Sequence, residues 1–200
     1  DLLQVPAPDV AGDLFHHPPR RQAAPALTVD HGVGAEGALE GAPLAGAEVE
    51  LVTVEGREGY LRSIIGDVKD KYDLIFLDCP PALGVLTINA LTAADSVLIP
   101  VQCEYYAMEG LSRLIGSIDL VRQSVNPDLE IQGIVLTMYD SRNSLARQVA
   151  EQLRSHFAEK VYQTVIPRNV ALAEAPSYGR PGILYNAASS GSQSYVFLAK

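Results

Sequence analysis

An acid that closes a short apolar run is the first place to look for chemistry in this 200-residue sequence. Leu74-Ile75-Phe76-Leu77 leads into Asp78, and Cys79-Pro80-Pro81 ends the run. A carboxylate at the carboxyl end of a buried strand lies where open α/β sheets bind ligands. There it can hold Mg²⁺ through water, and the ion offsets the charge of a nucleotide's phosphates. An Asp in that place can equally do no more than cap the following turn. Tyr105 and Tyr106 offer rings on which bases could stack, yet at a strand-to-helix junction packing is the ordinary use of such rings. Nucleophilic catalysis has little support: His31 and His156 are isolated, and there is no Gly-x-Ser-x-Gly elbow. Cys79 and Cys103 sit beside apolar runs and are expected to be two buried free thiols. No Cys/His group has zinc spacing, and the adjacent pair His16-His17 is a poor metal site.

The elements that must position these groups begin near Leu44. Ala47 to Lys71 has helical character, broken by Gly56 and Gly59. Tyr72 to Asp78 has the pattern of a strand buried on both faces. A short helix is expected over Thr87–Thr92, and a second buried strand over Ser96–Val101. An amphipathic helix runs from Met108 to Ser124 and stops before Asn126-Pro127. Glu130–Met138 is a third strand. Asn143–Phe157 is a helix with Leu145, Val149 and Leu153 on one side. Val161–Ile166 is a fourth strand closed by Pro167, and Ser190–Lys200 is a terminal helix. Strands alternating with helices predict an α/β fold with a doubly wound, mainly parallel sheet.

Residues 1–43 differ. They hold six of the thirteen prolines, many Ala and Gly, and no sustained period. Such a stretch buries too little apolar surface to offset its ordering entropy, so it is expected to be disordered or poorly packed. A shifted reading frame or misjoined fragment would look the same. The ordered part is therefore expected to be 44–200. The formal net charge of −9 argues against coating nucleic acid by bulk electrostatics, though it leaves room for a local basic patch. No apolar run approaches the ~18–20 residues of a membrane span. The first residues have no basic and apolar leader pattern, so no signal peptide is expected. The lack of an initiator Met suggests a truncated product.

Asp78-Cys79-Pro80-Pro81-Ala82-Leu83-Gly84 resembles the Walker B segment of ParA/Soj partitioning ATPases, of the P-loop superfamily that includes MinD. The resemblance continues through Leu86–Leu91, Ile99–Leu111, Leu136-Thr137-Met138-Tyr139-Asp140-Ser141-Arg142, Val165–Val170, Glu174–Gly179 and Ile183–Tyr185. Leu44–Val52 is also similar. The motifs occur in order and cover roughly 44–200. The Gln102–Tyr106 and Met138–Arg142 segments look more like ParA than MinD.

The resemblance implies a P-loop NTPase sheet, ATP and Mg²⁺ as cofactors, and Asp78 as the Mg²⁺-associated Walker B acid. The loop Asp78–Gly84 falls where the family senses the γ-phosphate. Pro167, Arg168 and Met138 fall where the family packs adenine. Arg142 matches an arginine that contacts DNA without regard to sequence; it can also be read as a solvated arginine at a helix start. The family often has a basic residue where this chain has Ala171, which weakens the DNA reading. Arg147, Arg154 and Lys160 could add charge nearby. The implied partners are a ParB-type centromere-binding protein, nonspecific DNA and a second copy of the chain, with no membrane. The implied location is cytoplasmic and nucleoid-associated.

One part is missing from the 200 residues. The family's strand and Lys-Gly-Gly-x-Gly-Lys-Thr loop cradle and neutralise the phosphates. This sequence has no Gly-Lys pair, and its first lysine is Lys69. Gly32-Val33-Gly34 has no lysine, Asp30 lacks the context of the family's switch acid, and Ala26–Val29 is a feeble substitute strand. The sheet is therefore expected to be incomplete on its N-terminal side, the chain poorly stable, and hydrolysis by it deficient. A non-catalytic ParA-like interaction protein and a degenerate fragment are the alternatives.

Overall fold

The computed structural model describes residues 51, 53–79 and 83–200. The expectations for residues 1–43, for the helix start near Ala47 and for Pro80-Pro81 lie outside the described residues.

The centre is a parallel three-stranded sheet. Its strands are β1 (Ser96–Gln102), β2 (Glu130–Tyr139) and β3 (Val161–Pro167), in the order β1-β2-β3. The helices are α1 (Tyr60–Val68), α2 (Val85–Ala93), α3 (Ala107–Ser124), α4 (Ser144–Phe157), α5 (Val170–Glu174), α6 (Gly182–Tyr185) and α7 (Ser190–Leu198). Parallel neighbours need crossovers, and α3 and α4 supply them.

β2 is the middle strand, and four consecutive residues, Gly133 to Leu136, are buried, so both its faces are covered. β1 departs from the expected double burial. Ile99 and Val101 are buried, while Leu98 and Pro100 are exposed. Among the described residues β1 is the sheet edge, and Pro100, which has no N–H to donate, suits an edge strand.

The core lies between sheet and helices. Ile118, Leu129, Ile134, Leu136 and Leu153 are nearly or fully inaccessible. α4 shows why its residues form that helix. Asn143 caps it by accepting from the Leu145 N–H at 2.9 Å, and Ala146, Val149, Ala150 and Leu153 make one inward stripe. Leu145, expected in that stripe, is 38% exposed; Ala146 and Ala150 take its place because small residues allow close approach to the sheet.

Two side-chain amides staple the helices together. Asn126 Nδ2 donates to the carbonyls of Leu91 and Ala94 at 2.9 and 2.8 Å, fastening the α3–β2 loop to the end of α2. Asn89 Oδ1 accepts from the Leu61 N–H at 3.0 Å, serving the first turn of α1. Gly56, at φ 72°, precedes the 3-10 turn Arg57–Gly59, which runs directly into α1.

The largest correction concerns Tyr72–Asp78. Residues 74–79 form no strand. Leu74 is 72% and Phe76 63% exposed. A strand's hydrogen bonds come only from its neighbours, and no described strand lies beside this run.

Candidate functional site: the carboxyl edge of the sheet

All three strands end on one edge of the sheet, and each delivers a group of interest just past its end. Past β1 come Glu104, Tyr105 and Tyr106. Past β2 come Asp140 and Arg142. β3 ends on Pro167, followed by Arg168.

The strand ends are tied to one another. Tyr139 pairs with Pro167 in register, and the Arg168 N–H donates to the Tyr139 carbonyl at 3.0 Å. Arg168 Nη2 stands 3.8 Å from Glu104 Oε1. Asn169 turns the chain into α5 by accepting from the Leu172 N–H, and its amide donates to Ser190 Oγ at 3.1 Å, which fastens this corner to α7.

Met138 has an unusual backbone. Its φ is 49°, in the left-handed region that methionine rarely occupies. The register explains it: Leu136 pairs with Val165 and Tyr139 with Pro167, so β2 carries one more residue than β3 over that interval. The bulge re-aims the chain at the sheet edge, where such devices cluster beside binding sites. Met138 is left 42% exposed. Nothing in the sequence around Met138 signals this, since neither Gly nor Asn marks the position.

The turn after β2 carries a compact polar constellation. Asp140 Oδ1 accepts from both the backbone N–H and Nε of Arg142, and Oδ2 accepts from Nη2, each at 3.0 Å. These hydrogen bonds hold the Asp140 carboxyl down at about 2, with the Arg142 and Arg168 charges adding to the effect. The Asp140 partner in turn raises Arg142. Arg147, from the first turn of α4, reaches back and donates from Nη1 to the Ser141 carbonyl at 2.6 Å.

The register of β2 and β3 thus brings together Met138, Pro167 and Arg168, and places Arg142 one turn beyond. Asp78 is not gathered with them by any sheet ladder. It is exposed, at the end of the unpaired 74–79 segment. Its neighbour Cys79 is also exposed, against the expectation of two buried thiols, while Cys103 is buried in the core. Partial enclosure, and then the Asp78 carboxylate, push the Cys79 thiol up. Tyr105 and Tyr106 were expected to pack inward. They are instead 75% and 73% exposed, meeting edge to face at 5.1 Å between centroids. Among the described residues no group of His, Cys, Asp and Glu could by itself hold a metal, and no helix is long and apolar enough to cross a membrane.

A parallel α/β sheet with its polar groups collected on the carboxyl edge is the arrangement of P-loop NTPases, and the comparisons agree. The chain superposes on cobyrinic acid a,c-diamide synthase from Mycobacterium smegmatis with bound ATP analog and magnesium. The TM-score is 0.66 at 35% identity, over 78% of this chain and 57% of that one. A family model described as an AAA domain matches residues 39–131. Over 157 residues the chain is 55% identical to the chromosome partitioning protein ParA of Myxococcus xanthus. It is 57% identical, also over 157 residues, to the sporulation initiation inhibitor protein Soj of Bacillus subtilis. Both alignments cover 78% of this chain. Over these residues the chain is similar to the ParA/Soj proteins. It spans 56% and 62% of the lengths of those two relatives.

Proposed function

We propose that the chain is the larger part of a chromosome- or plasmid-partitioning ATPase. In that reading the whole protein binds ATP and Mg²⁺, dimerises, holds nonspecific DNA and is released with the help of a ParB-type partner. It works in the cytoplasm on the nucleoid. The observation that carries the reading is the 55% identity, sustained over 157 residues, to a relative named for chromosome partitioning.

The residues suit one end of the nucleotide. Met138, Pro167 and Arg168 stand together at the carboxyl edge, where open α/β sheets take ligands. An apolar side chain, a proline ring and backbone groups fit the adenine role the family suggests. Arg142 and Arg147 stand on the adjoining turn and suit phosphates of DNA. Asp78 is assigned to Mg²⁺, through water, on family grounds.

The phosphate end does not fit. No Gly-Lys pair occurs in the 200 residues, and the acid assigned to Mg²⁺ stands on a segment that no sheet ladder holds. Phosphoryl transfer depends on positioning and charge stabilisation, and these residues supply little of either. We therefore expect the chain to be hydrolysis-deficient. The same observation favours a second reading, a ParA-like interaction protein without catalysis.

Two measurements on the chain test this. A fluorescent ATP analogue should bind weakly, with binding reduced in Pro167→Gly. Phosphate release should stay at the buffer rate with Mg²⁺ and DNA present. Steady Mg²⁺-dependent turnover would refute the hydrolysis-deficient reading, and absence of any analogue binding would favour the non-catalytic one.

A further inference from the structure

The turn after β2 carries two arginines whose partners differ in kind. Arg147 is held by a neutral group, the Ser141 carbonyl, and keeps its charge available. Arg142 is held by a carboxylate on both sides of its fork, Nε to Oδ1 and Nη2 to Oδ2 of Asp140. That fork is the edge a guanidinium offers to a phosphate for a bidentate contact. Occupied in this way, Arg142 contributes little net charge and releases little counterion when it meets a nucleic-acid backbone.

We propose that Asp140 is a built-in competitor for Arg142: a backbone phosphate of duplex DNA must displace the Asp140 carboxylate to reach the arginine fork, so Asp140 holds down the affinity of this surface for DNA. The proposal rests on the reading of Arg142 as a DNA contact and adds a restraint to it. Displacement is feasible because the pair lies open to solvent; the Arg142 side chain is 89% and the Asp140 side chain 30% exposed. Exposed pairs are weak, so an anion that brings its own field can exchange with the carboxylate. Arg168 also faces Asp140, but stands nearer to Glu104. It offers the carboxylate a second cation to lean on once Arg142 has left. The restraint is steady across neutral pH, because the Asp140 carboxyl titrates at about 2.

The test measures fluorescence anisotropy of a labelled 20-base-pair duplex of random sequence with the full chain, over a ladder of salt concentrations. Asp140→Asn should bind roughly two- to fivefold tighter than the parent. Its plot of log affinity against log salt should steepen by up to about one, because the Asp140 charge no longer offsets Arg142 at the phosphate. Arg142→Ala should bind more weakly than the parent, and the gain from Asp140→Asn should vanish in the double variant. Circular dichroism of each variant confirms the fold, and Asp140→Ser repeats the test with a side chain less able to hold the fork. Weaker binding in both Asp140 variants would overturn the proposal, making Asp140 a brace that positions Arg142. So would a gain that survives in the double variant. The premise is tested separately by Arg147→Ala, which should weaken binding without altering the gain from Asp140→Asn. If neither Arg142→Ala nor Arg147→Ala changes binding, this turn is not the DNA surface and the proposal falls with that reading.

Discussion

β2 and the segment Leu74–Leu77 are written in nearly the same alphabet and end in opposite conditions. Ile134-Val135-Leu136 lies in the middle of a sheet with both faces covered. Leu74-Ile75-Phe76-Leu77 forms no strand, and two of its large side chains face solvent. The difference is not one of propensity. β2 has β1 on one side, β3 on the other and α3 and α4 in the layer above. The earlier segment has no described strand beside it. Apolar runs become strands when neighbours accept their hydrogen bonds and cover their faces.

Truncating one residue from each region should separate them most widely. Leu136→Ala should cost about 2–5 kcal/mol, because a fully buried side chain leaves a cavity that the sheet cannot close. Phe76→Ala should stay within about 0.5 kcal/mol, as for other exposed positions. Urea unfolding followed by circular dichroism reads both, and a large loss in Phe76→Ala would mean that the segment is packed in solution.

Close approach within the sheet gives the next largest effect. A Cβ at Gly133 would run into the Tyr162 ring and stand 3.1 Å from the Lys160 carbonyl. Gly133→Ala should therefore lose about 1–3 kcal/mol by overpacking. Gly66 of α1, where a Cβ would meet nothing, is the control; Gly66→Ala should be neutral or slightly stabilising in the same unfolding assay.

The amide staple tests whether the packing of α2 against the α3–β2 loop depends on polar as well as apolar contacts. Asn126→Ala leaves the Leu91 and Ala94 carbonyls without their donor in a buried corner. It should cost about 1–3 kcal/mol. Amide hydrogen exchange should show the loss first in α2.

The smallest expected effect is on Asp140. Its folded value of about 2 lies below the ordinary 3.8, so the pair with Arg142 stabilises the fold above the ordinary value and is lost as pH falls through about 2. Carbon-detected NMR titration should find that low midpoint, and Arg142→Ala should return it toward 3.8.

Much of the frame was legible in the residues. The periodicity of 108–124 and 143–157 and the apolar runs at 96–101, 130–138 and 161–166 led to the observed helices and strands within a residue or two. The ordered motifs led to the ParA/Soj family, which the relatives bear out. Other features were not legible. A sequence window around Tyr105 and Tyr106 shows two rings at a junction, but whether anything covers them depends on what packs beyond β1. The bulge at Met138 arises from a mismatch in length between β2 and β3, and no single residue announces it. Asp140 and Arg142 are two apart in sequence, and only the turn geometry closes the fork between them.

Periodicity and punctuation therefore determined the elements, because helical and extended patterns are written in neighbouring residues and act over a few ångströms. Tertiary packing decided which strand became central, which apolar run was left uncovered, and which arginine was neutralised by a partner. Those outcomes depend on hydrogen-bond partners and covering faces that come from elsewhere in the chain, and a local pattern carries no record of them.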